Sequence, residues 1–282
     1  MLSICIVSWN TRDLLKACLR AIDYNAPAEE YEVIIVDNAS PDASAQMVKE
    51  EFPKVKLIEN KENLFYAKAN NQAFDAAQGD LLMLLNPDTE VKKDCFNLLS
   101  TYLRANPQVG AAAPKLLFPN GATQPSCRSF PTPQALLLDM FGLSRLFPSC
   151  KICGEYRMIH FGHDTMQEVD QPMASAFMLK REVIEQIGVF DEGFPMFFND
   201  VDLCLRMKQA GWKIVFLPEA AAVHHHGAST AQRKRPMIAQ SHDSLARFYN
   251  KHYLGRVSRV GYWSVLGLSR IARQIRLWLR SK

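Results

Sequence analysis

No run of about 18 to 20 uninterrupted apolar residues, the length a helix needs to cross a bilayer, occurs in the 282-residue chain, so no membrane-spanning helix is expected. The stretch Met1-Leu2-Ser3-Ile4-Cys5-Ile6-Val7 has neither a basic lead nor a small-residue cleavage site. It reads as a buried strand rather than a secretion signal. The seven cysteines are odd in number and scattered, and Cys5, Cys95 and Cys204 sit inside apolar runs. That argues against a disulfide framework and for reduced thiols in a cytosolic compartment. Cys150 and Cys153 have C-x-x-C spacing but no second pair and no ordered histidine set, so they do not read as a zinc site. Excess charge is also missing: 33 Lys and Arg against 29 Asp and Glu leave a net +4, too mild to imply a nucleic-acid partner. At 48% hydrophobic and 22% charged, the composition excludes disorder and fibrous repeats. The length suffices for one large α/β domain, or a domain with an appendage.

What is present is an alternation of strand and helix patterns. Apolar, branched runs at 3–8, 32–36 and 55–59 predict strands, and Leu81 to Leu85 is wholly apolar, as in a strand covered on both faces. Between them, Leu14, Leu15, Cys18, Leu19 and Ile22 recur at helical spacing, and 64–78 reads as a helix stopped by Gly79 at its C′ position. This order predicts a doubly wound, mainly parallel sheet with ligands beyond the carboxyl ends of its strands. Asp37-Asn38 and Asn86-Pro87-Asp88 fall at those ends. From 114 to about 171 the chain is richer in Pro, Gly and polar residues and reads as a long, partly mobile excursion. Regular structure returns with a strand at 174–179, helices at 181–187 and 200–210, the second closed by Gly211, and a strand at 214–217.

Three clusters carry chemistry. Asp88 at a strand end can ligate a divalent metal that bridges a diphosphate, or Asn86-Pro87-Asp88 can be a turn capping the next helix. Asn199-Asp200-x-Asp202 opens a helix, either as N-cap and dipole partners or with Asp200 as a general base. Of His224-His225-His226, at most one or two side chains can point toward a metal.

The order of these blocks resembles the inverting glycosyltransferases of family 2, in particular the rhamnosyltransferase-like branch. The match runs from Ser3 to about Thr230, through Ile6-Val7-Ser8-Trp9-Asn10, Val33 to Ser40, Glu62 to Asn71 and Leu84 to Thr89. It continues with Gly188 to Phe194, Phe197 to Arg206 and Val223-His224-x-x-Gly227-x-Ser229. The resemblance implies a GT-A fold: a mixed, mainly parallel α/β sheet flanked by helices, spanning 1–230, with a nucleotide-binding half at 1–113 and an acceptor-side half at 114–230. It implies that Ser8, Asn10, Asp37, Lys68, Asn71 and Asn86 line the nucleotide site, Asn86 standing where the family's metal motif has its first acid. Asp88 and His224 would hold Mg2+ or Mn2+, Asp200 would be the catalytic base, and Asn199 and Asp202 would lie on the acceptor side. The family usually has Gly where this chain has Phe65. The acid often found before the base is Asn199 here.

Beyond Gly255 the chain carries Arg256, Arg259, Arg270, Arg273, Arg276, Arg280 and Lys282 without one Asp or Glu, interleaved with Trp263, Ile271, Ile275 and Trp278. The segment 231–282 is expected to form a basic, helical extension. It either lies in the headgroup region of an anionic membrane or packs on the body with its arginines solvated. The expectation is a cytoplasmic enzyme, peripheral on the inner face of the membrane. It would take a nucleotide-sugar, with thymidine-diphosphate-rhamnose the leading donor, to an acceptor such as a polyprenyl-linked glycan in cell-surface polysaccharide synthesis, with no nucleic-acid partner. A nucleotidyltransferase would want a Gly-rich basic loop, which Ser8-Trp9-Asn10-Thr11-Arg12 does not supply. A degenerate fold that only binds sugars or partners is kept open by Asn86 and Asn199, and opposed by Asp88, Asp200 and His224 together.

Overall fold

A computed structural model describes residues 1–147, 150–225 and 234–279. His226, Gly227, Ser229, Arg280, Lys282 and the expected boundary after 230 lie outside the described residues. The first half alternates β1 (Leu2–Ser8), α1 (Arg12–Tyr24), β2 (Tyr31–Asp37), α2 (Ser44–Glu51), β3 (Lys56–Glu59), α3 (Phe65–Ala76) and β4 (Leu81–Leu85). Then come β5 (Thr89–Val91), α4 (Cys95–Ala105), β6 (Val109–Leu117), β7 (Cys127–Arg128), α5 (Pro133–Met140), α6 (Leu143–Leu146), β8 (Gln167–Glu168) and β9 (Gln171–Pro172). The chain closes with β10 (Ala176–Lys180), α7 (Arg181–Ile187), α8 (Asn199–Gln209), β11 (Lys213–His224), α9 (Lys234–His252) and α10 (Arg259–Leu279).

The main sheet runs β3-β2-β1-β4-β10-β6-β11-β5, with β8 beside β11. Strands β3, β2, β1 and β4 are parallel, β10 enters antiparallel between β4 and β6, and β11 runs parallel to β6. Period-two alternation divides the core. Leu2, Ile4 and Ile6 face Leu15, Leu19, Met47 and Phe96 on one side, while Cys5 and Val7 face Ala67, Phe74 and Phe177 on the other. A third cluster joins Leu136 of α5 and Val201 of α8 to Phe248, Tyr249, Tyr262 and Val265 of α9 and α10. One face of α10 therefore packs on the body. The opposite face leaves Trp263 60% and Ile271 58% exposed. Among the described residues no helix is long and apolar enough to cross a membrane.

Two sequence readings are corrected. Helix α3 ends at Ala76 and Gly79 is not its C′ residue. A Cβ at Gly79 would stand 2.7 Å from Met1 O and Ser3 N, so the glycine is required by close approach to β1. The stretch after 114 is more regular than expected. It completes β6, and the buried His163 accepts the N–H groups of Ser126 (3.2 Å) and Cys127 (3.4 Å), which pins the β7–β9 ladder.

Asp202, expected on the acceptor side, is fully buried and accepts from Arg206 Nε (2.8 Å), Lys251 Nζ (2.7 Å) and His252 Nε2 (2.7 Å), which ties α8 to α9. Burial opposes its charge, but the bonds from His252, Lys251 and Arg206 prevail and hold the carboxyl down to about 2. Because the folded value lies below the unfolded one, the stabilisation is complete above about pH 4 and disappears as pH falls toward 2. Asp202→Asn removes the charged acceptor shared by His252, Lys251 and Arg206 and is expected to cost about 2 kcal/mol in urea unfolding at pH 7. The wild-type advantage should vanish as the comparison is repeated down to pH 2.

Candidate active site

Parallel register sets Ser8 beside Asp37 and Ile6 beside Leu85, so β1, β2 and β4 end together at one edge of the sheet. Ser8 is buried, with Oγ 3.0 Å from Thr11 Oγ1. Asn10 takes a left-handed φ of 54°, and its N–H donates to Ser40 Oγ (3.0 Å). The Asp37 carboxylate accepts the Ser40 N–H at Oδ2 (2.9 Å), and its buried Oδ1 has no hydrogen-bond partner among the described residues. A carboxylate oxygen held this way is an acceptor aimed at something that is not protein.

Asn38 next to it donates from Nδ2 to Phe65 O (3.1 Å) and accepts from Asn60 Nδ2 (2.9 Å), fixing the entry to α3. Phe65 sits at φ 61°, where an L-residue is strained, which accounts physically for the glycine usual at this place in the family it resembles. The N–H groups of Tyr66 and Ala67 donate to Pro195 O (2.9 and 3.1 Å), so the loop before α8 caps α3. Lys68 is exposed and makes no hydrogen bond or ion pair among the described residues. Asn71, expected at the nucleotide site, is buried, its Nδ2 donating to Phe190 O (3.0 Å) and its Oδ1 accepting the Phe190 N–H (3.1 Å). That amide fastens a loop to α3.

The second edge cluster lies where β4 passes into β5. Thr89 N–H closes a turn onto Asn86 O (3.1 Å), and the chain continues as a strand, not the helix a capping turn would start. Asn86 is oriented by Ser175, donating from its backbone N–H to Ser175 O (2.9 Å) and from Nδ2 to Ser175 Oγ (3.2 Å). Register between β11 and β5 places His224 opposite Thr89, with Nε2 3.4 Å from Asp88 Oδ1. His224 Nδ1 is 2.9 Å from Gln124 Oε1. An amide oxygen only accepts, so Nδ1 is the donor in that contact and Nε2 is the ring nitrogen directed at Asp88. Asp88 Oδ1 is buried without a hydrogen-bond partner among the described residues. An imidazole nitrogen and a carboxylate oxygen buried this close together, with the far ring nitrogen held by an amide, are a donor set that fits a divalent metal. Among the described residues no third His, Cys, Asp or Glu joins them, leaving further ligands to come from a bound diphosphate. His225 turns away and contacts Glu90 Oε1 at 2.7 Å.

Asp200 stands in the first turn of α8. Burial raises its carboxyl above the usual range, against the lowering effect of the N–H groups of Val201 and Ala174 and the charge of Arg128. Tyr66 donates its hydroxyl to Ala174 O (3.2 Å), and burial, with the charge of Asp200 next, pushes that hydroxyl up. Asn199, expected on the acceptor side, is buried, with Oδ1 accepting the Asp200 N–H (2.7 Å) and Nδ2 donating to Phe194 O (3.3 Å). Gln124 and Tyr66 are site residues that motif reading did not assign a role.

Residues 3–139 match the family model Glycosyl transferase family 2. The chain belongs to this family. Relatives of this glycosyltransferase include the N-acetylglucosaminyl-diphospho-decaprenol L-rhamnosyltransferase of Mycobacterium tuberculosis, 27% identical over 251 residues that cover 83% of this chain and 80% of the relative. The rhamnosyltransferase WbbL of Escherichia coli is 26% identical over 239 residues, covering 80% of this chain and 84% of the relative. The fold is shared with the mannosyltransferase PcManGT from Pyrobaculum calidifontis, solved in complex with GDP-Man and Mn2+. That likeness has a TM-score of 0.61 at 18% identity, covering 98% of this chain and 71% of the other.

If Gln124 fixes the His224 tautomer, Gln124→Leu will weaken Mn2+ binding in the presence of nucleoside diphosphate by about 10- to 100-fold. Titration calorimetry or electron paramagnetic resonance measures this directly. An unchanged affinity in a folded variant means that the histidine does not depend on it.

Proposed function

We propose that this glycosyltransferase moves a sugar, with thymidine-diphosphate-rhamnose the leading donor, onto a hydroxyl of a lipid-linked acceptor with inversion at the anomeric carbon. The observation that carries the reading is the approach of His224 Nε2 to within 3.4 Å of Asp88 Oδ1 at the strand ends, together with Asp200 in the first turn of α8, whose carboxyl desolvation raises. The names of the relatives support the donor sugar and the lipid-linked acceptor.

In this reading Ser8, Asn10 and Asp37 receive the nucleoside, with Asp37 Oδ1 accepting a hydrogen bond from base or ribose. Lys68 offers a charge to the phosphates from the exposed side of α3. Asp88 and His224 hold Mg2+ or Mn2+, which neutralises charge on the departing diphosphate when bound. Asp200 accepts the proton of the acceptor hydroxyl while that oxygen attacks the anomeric carbon and the bond to the diphosphate breaks. One displacement from the opposite face inverts the centre and needs no second carboxylate nucleophile. Asn199 and the Ala174 N–H hold Asp200 in place, and its burial makes it a stronger base than a solvated aspartate.

The base must be ionised to work, so its raised value predicts that transfer declines with acid at a higher pH than an ordinary aspartate would allow. Asp200→Asn should abolish nucleoside diphosphate release by about a thousandfold or more while donor affinity persists. Comparable turnover in that variant would remove Asp200 from the mechanism. Failure of wild type to bind any nucleotide-sugar would favour a binding-only fold.

The exposed face of α10 supports peripheral attachment to the inner face of the cytoplasmic membrane. Trp263, Ile271, Ile275 and Trp278 form an apolar stripe on the side opposite the packed Tyr262, Val265 and Leu266, with Arg270 beside it. Replacing Trp263 and Ile271 together by Ser should lower cosedimentation with phosphatidylglycerol vesicles severalfold at unchanged fold. Equal cosedimentation would return α10 to a purely packing role.

A further inference from the structure

Arg128 stands out among the cations of the acceptor side. Arg157 pairs with Asp139, Arg206 with Asp202, and Arg247 and Lys251 with Asp191. The half-buried Arg128 guanidinium makes no hydrogen bond or ion pair among the described residues, and lies 5.8 Å from the centre of the Tyr156 ring. Stacking over an aromatic face orients such a group while leaving its planar fork of N–H donors open, the geometry that suits phosphate.

Its position is fixed from several sides. Arg128 pairs in register with Gln171, whose Nε2 donates to Ser129 O (2.7 Å), and Ser129 N–H donates to Tyr156 O (3.1 Å). The ladder partner of β7 leads directly to Ala174, which contacts both Tyr66 and Asp200. Tyr66 senses Asp88 and Asp200, whereas the charges acting on Tyr156 are those of Arg128, Asp139, Arg157 and Asp200. Through β9 and Ala174 the Arg128–Tyr156 pair is therefore tied to Asp200.

The same turn leads toward apolar surface. Arg157 donates to Asp139 of α5 (Nη2 to Oδ2, 2.9 Å), and Tyr156 packs on the cluster of Leu136, Tyr262 and Val265. Just beyond α5 lie the exposed Phe141, Leu146 and Phe147.

We propose that Arg128, stacked on Tyr156, binds a phosphate group of the acceptor, so that this site selects acceptors whose sugar is linked to lipid through phosphate. This rests on the transferase reading above, and it assigns donor and acceptor phosphates to opposite sides of the cleft. The phosphate would sit at the fork of Arg128 with its lipid directed toward the apolar end of α5.

The test is calorimetric titration of octyl diphosphate, below its micellar concentration and with chelator present, against octyl glucoside as the uncharged control. Wild type should bind the diphosphate and not the glucoside. Arg128→Gln should weaken that binding at least tenfold and Arg128→Lys by less, with the affinity for uridine and thymidine diphosphates unchanged in both. The lysine variant keeps a cation in place and reads the site should the glutamine variant fold poorly. Undiminished octyl diphosphate binding in Arg128→Gln overturns the proposal. So does a parallel loss of nucleoside diphosphate affinity, which would give Arg128 to the donor. If no nucleotide-sugar binds wild type, the transferase reading fails separately, and the octyl diphosphate comparison still decides whether Arg128 is a phosphate site.

Discussion

The parallel pairing of Ser8 with Asp37, continued by the register of β1 on β4, brings three strand ends to one edge of the sheet. Everything chemical in the molecule depends on that alignment. A slip of one residue would turn Asp37 to the other face of β2 and separate it from Asn10 and Ser40. Antiparallel β10 extends the same edge, because Ala176 pairs with Leu85 and so carries Ser175 and Ala174 to Asn86 and Asp200. The catalytic groups need little local reinforcement because the sheet has already placed their backbones.

The site is also electrostatically unfinished. Asp37 and Asp88 each keep a buried oxygen without a hydrogen-bond partner among the described residues, and Asp88 Oδ1 lies 3.4 Å from His224 Nε2. Left alone, such arrangements cost about 1 to 3 kcal/mol for each unsatisfied group. The cost is tolerable because the surrounding sheet is buried on both faces and the nearby amides are satisfied. In the proposed function a nucleotide and a cation would satisfy these groups, which is a physical basis for selectivity.

Much of this was legible in the sequence because strand ends are. Wholly apolar runs broken by Asp37-Asn38 or Asn86-Pro87-Asp88 state both where a strand lies and where it stops. Other parts carried no such signal. Strand β6 includes Gly110-Ala111-Ala112-Ala113-Pro114, small residues of little strand preference that are made a strand by their neighbours. Gln124 lies 100 positions from His224 in an irregular stretch, and only the folded chain brings them together. Asn71 and Asn199 look like ligands by type, yet their amides are engaged by backbone groups of Phe190, Phe194 and Asp200. Motif position identifies a residue, but the hydrogen bonds it makes decide whether it faces substrate or scaffold.

Strand β10 is contributed by the second half of the chain and lies between β4 and β6, both from the first 117 residues. The earlier and later portions of the chain are thus interleaved in one sheet, not laid end to end. A ribosome that has released only the first portion displays β4 with a bare row of backbone donors and acceptors along a wholly apolar strand. Such an edge is an invitation to pair with a neighbouring nascent chain. For this fold the hazardous interval is therefore synthesis itself, and it ends only when residues 176–180 arrive to close the gap.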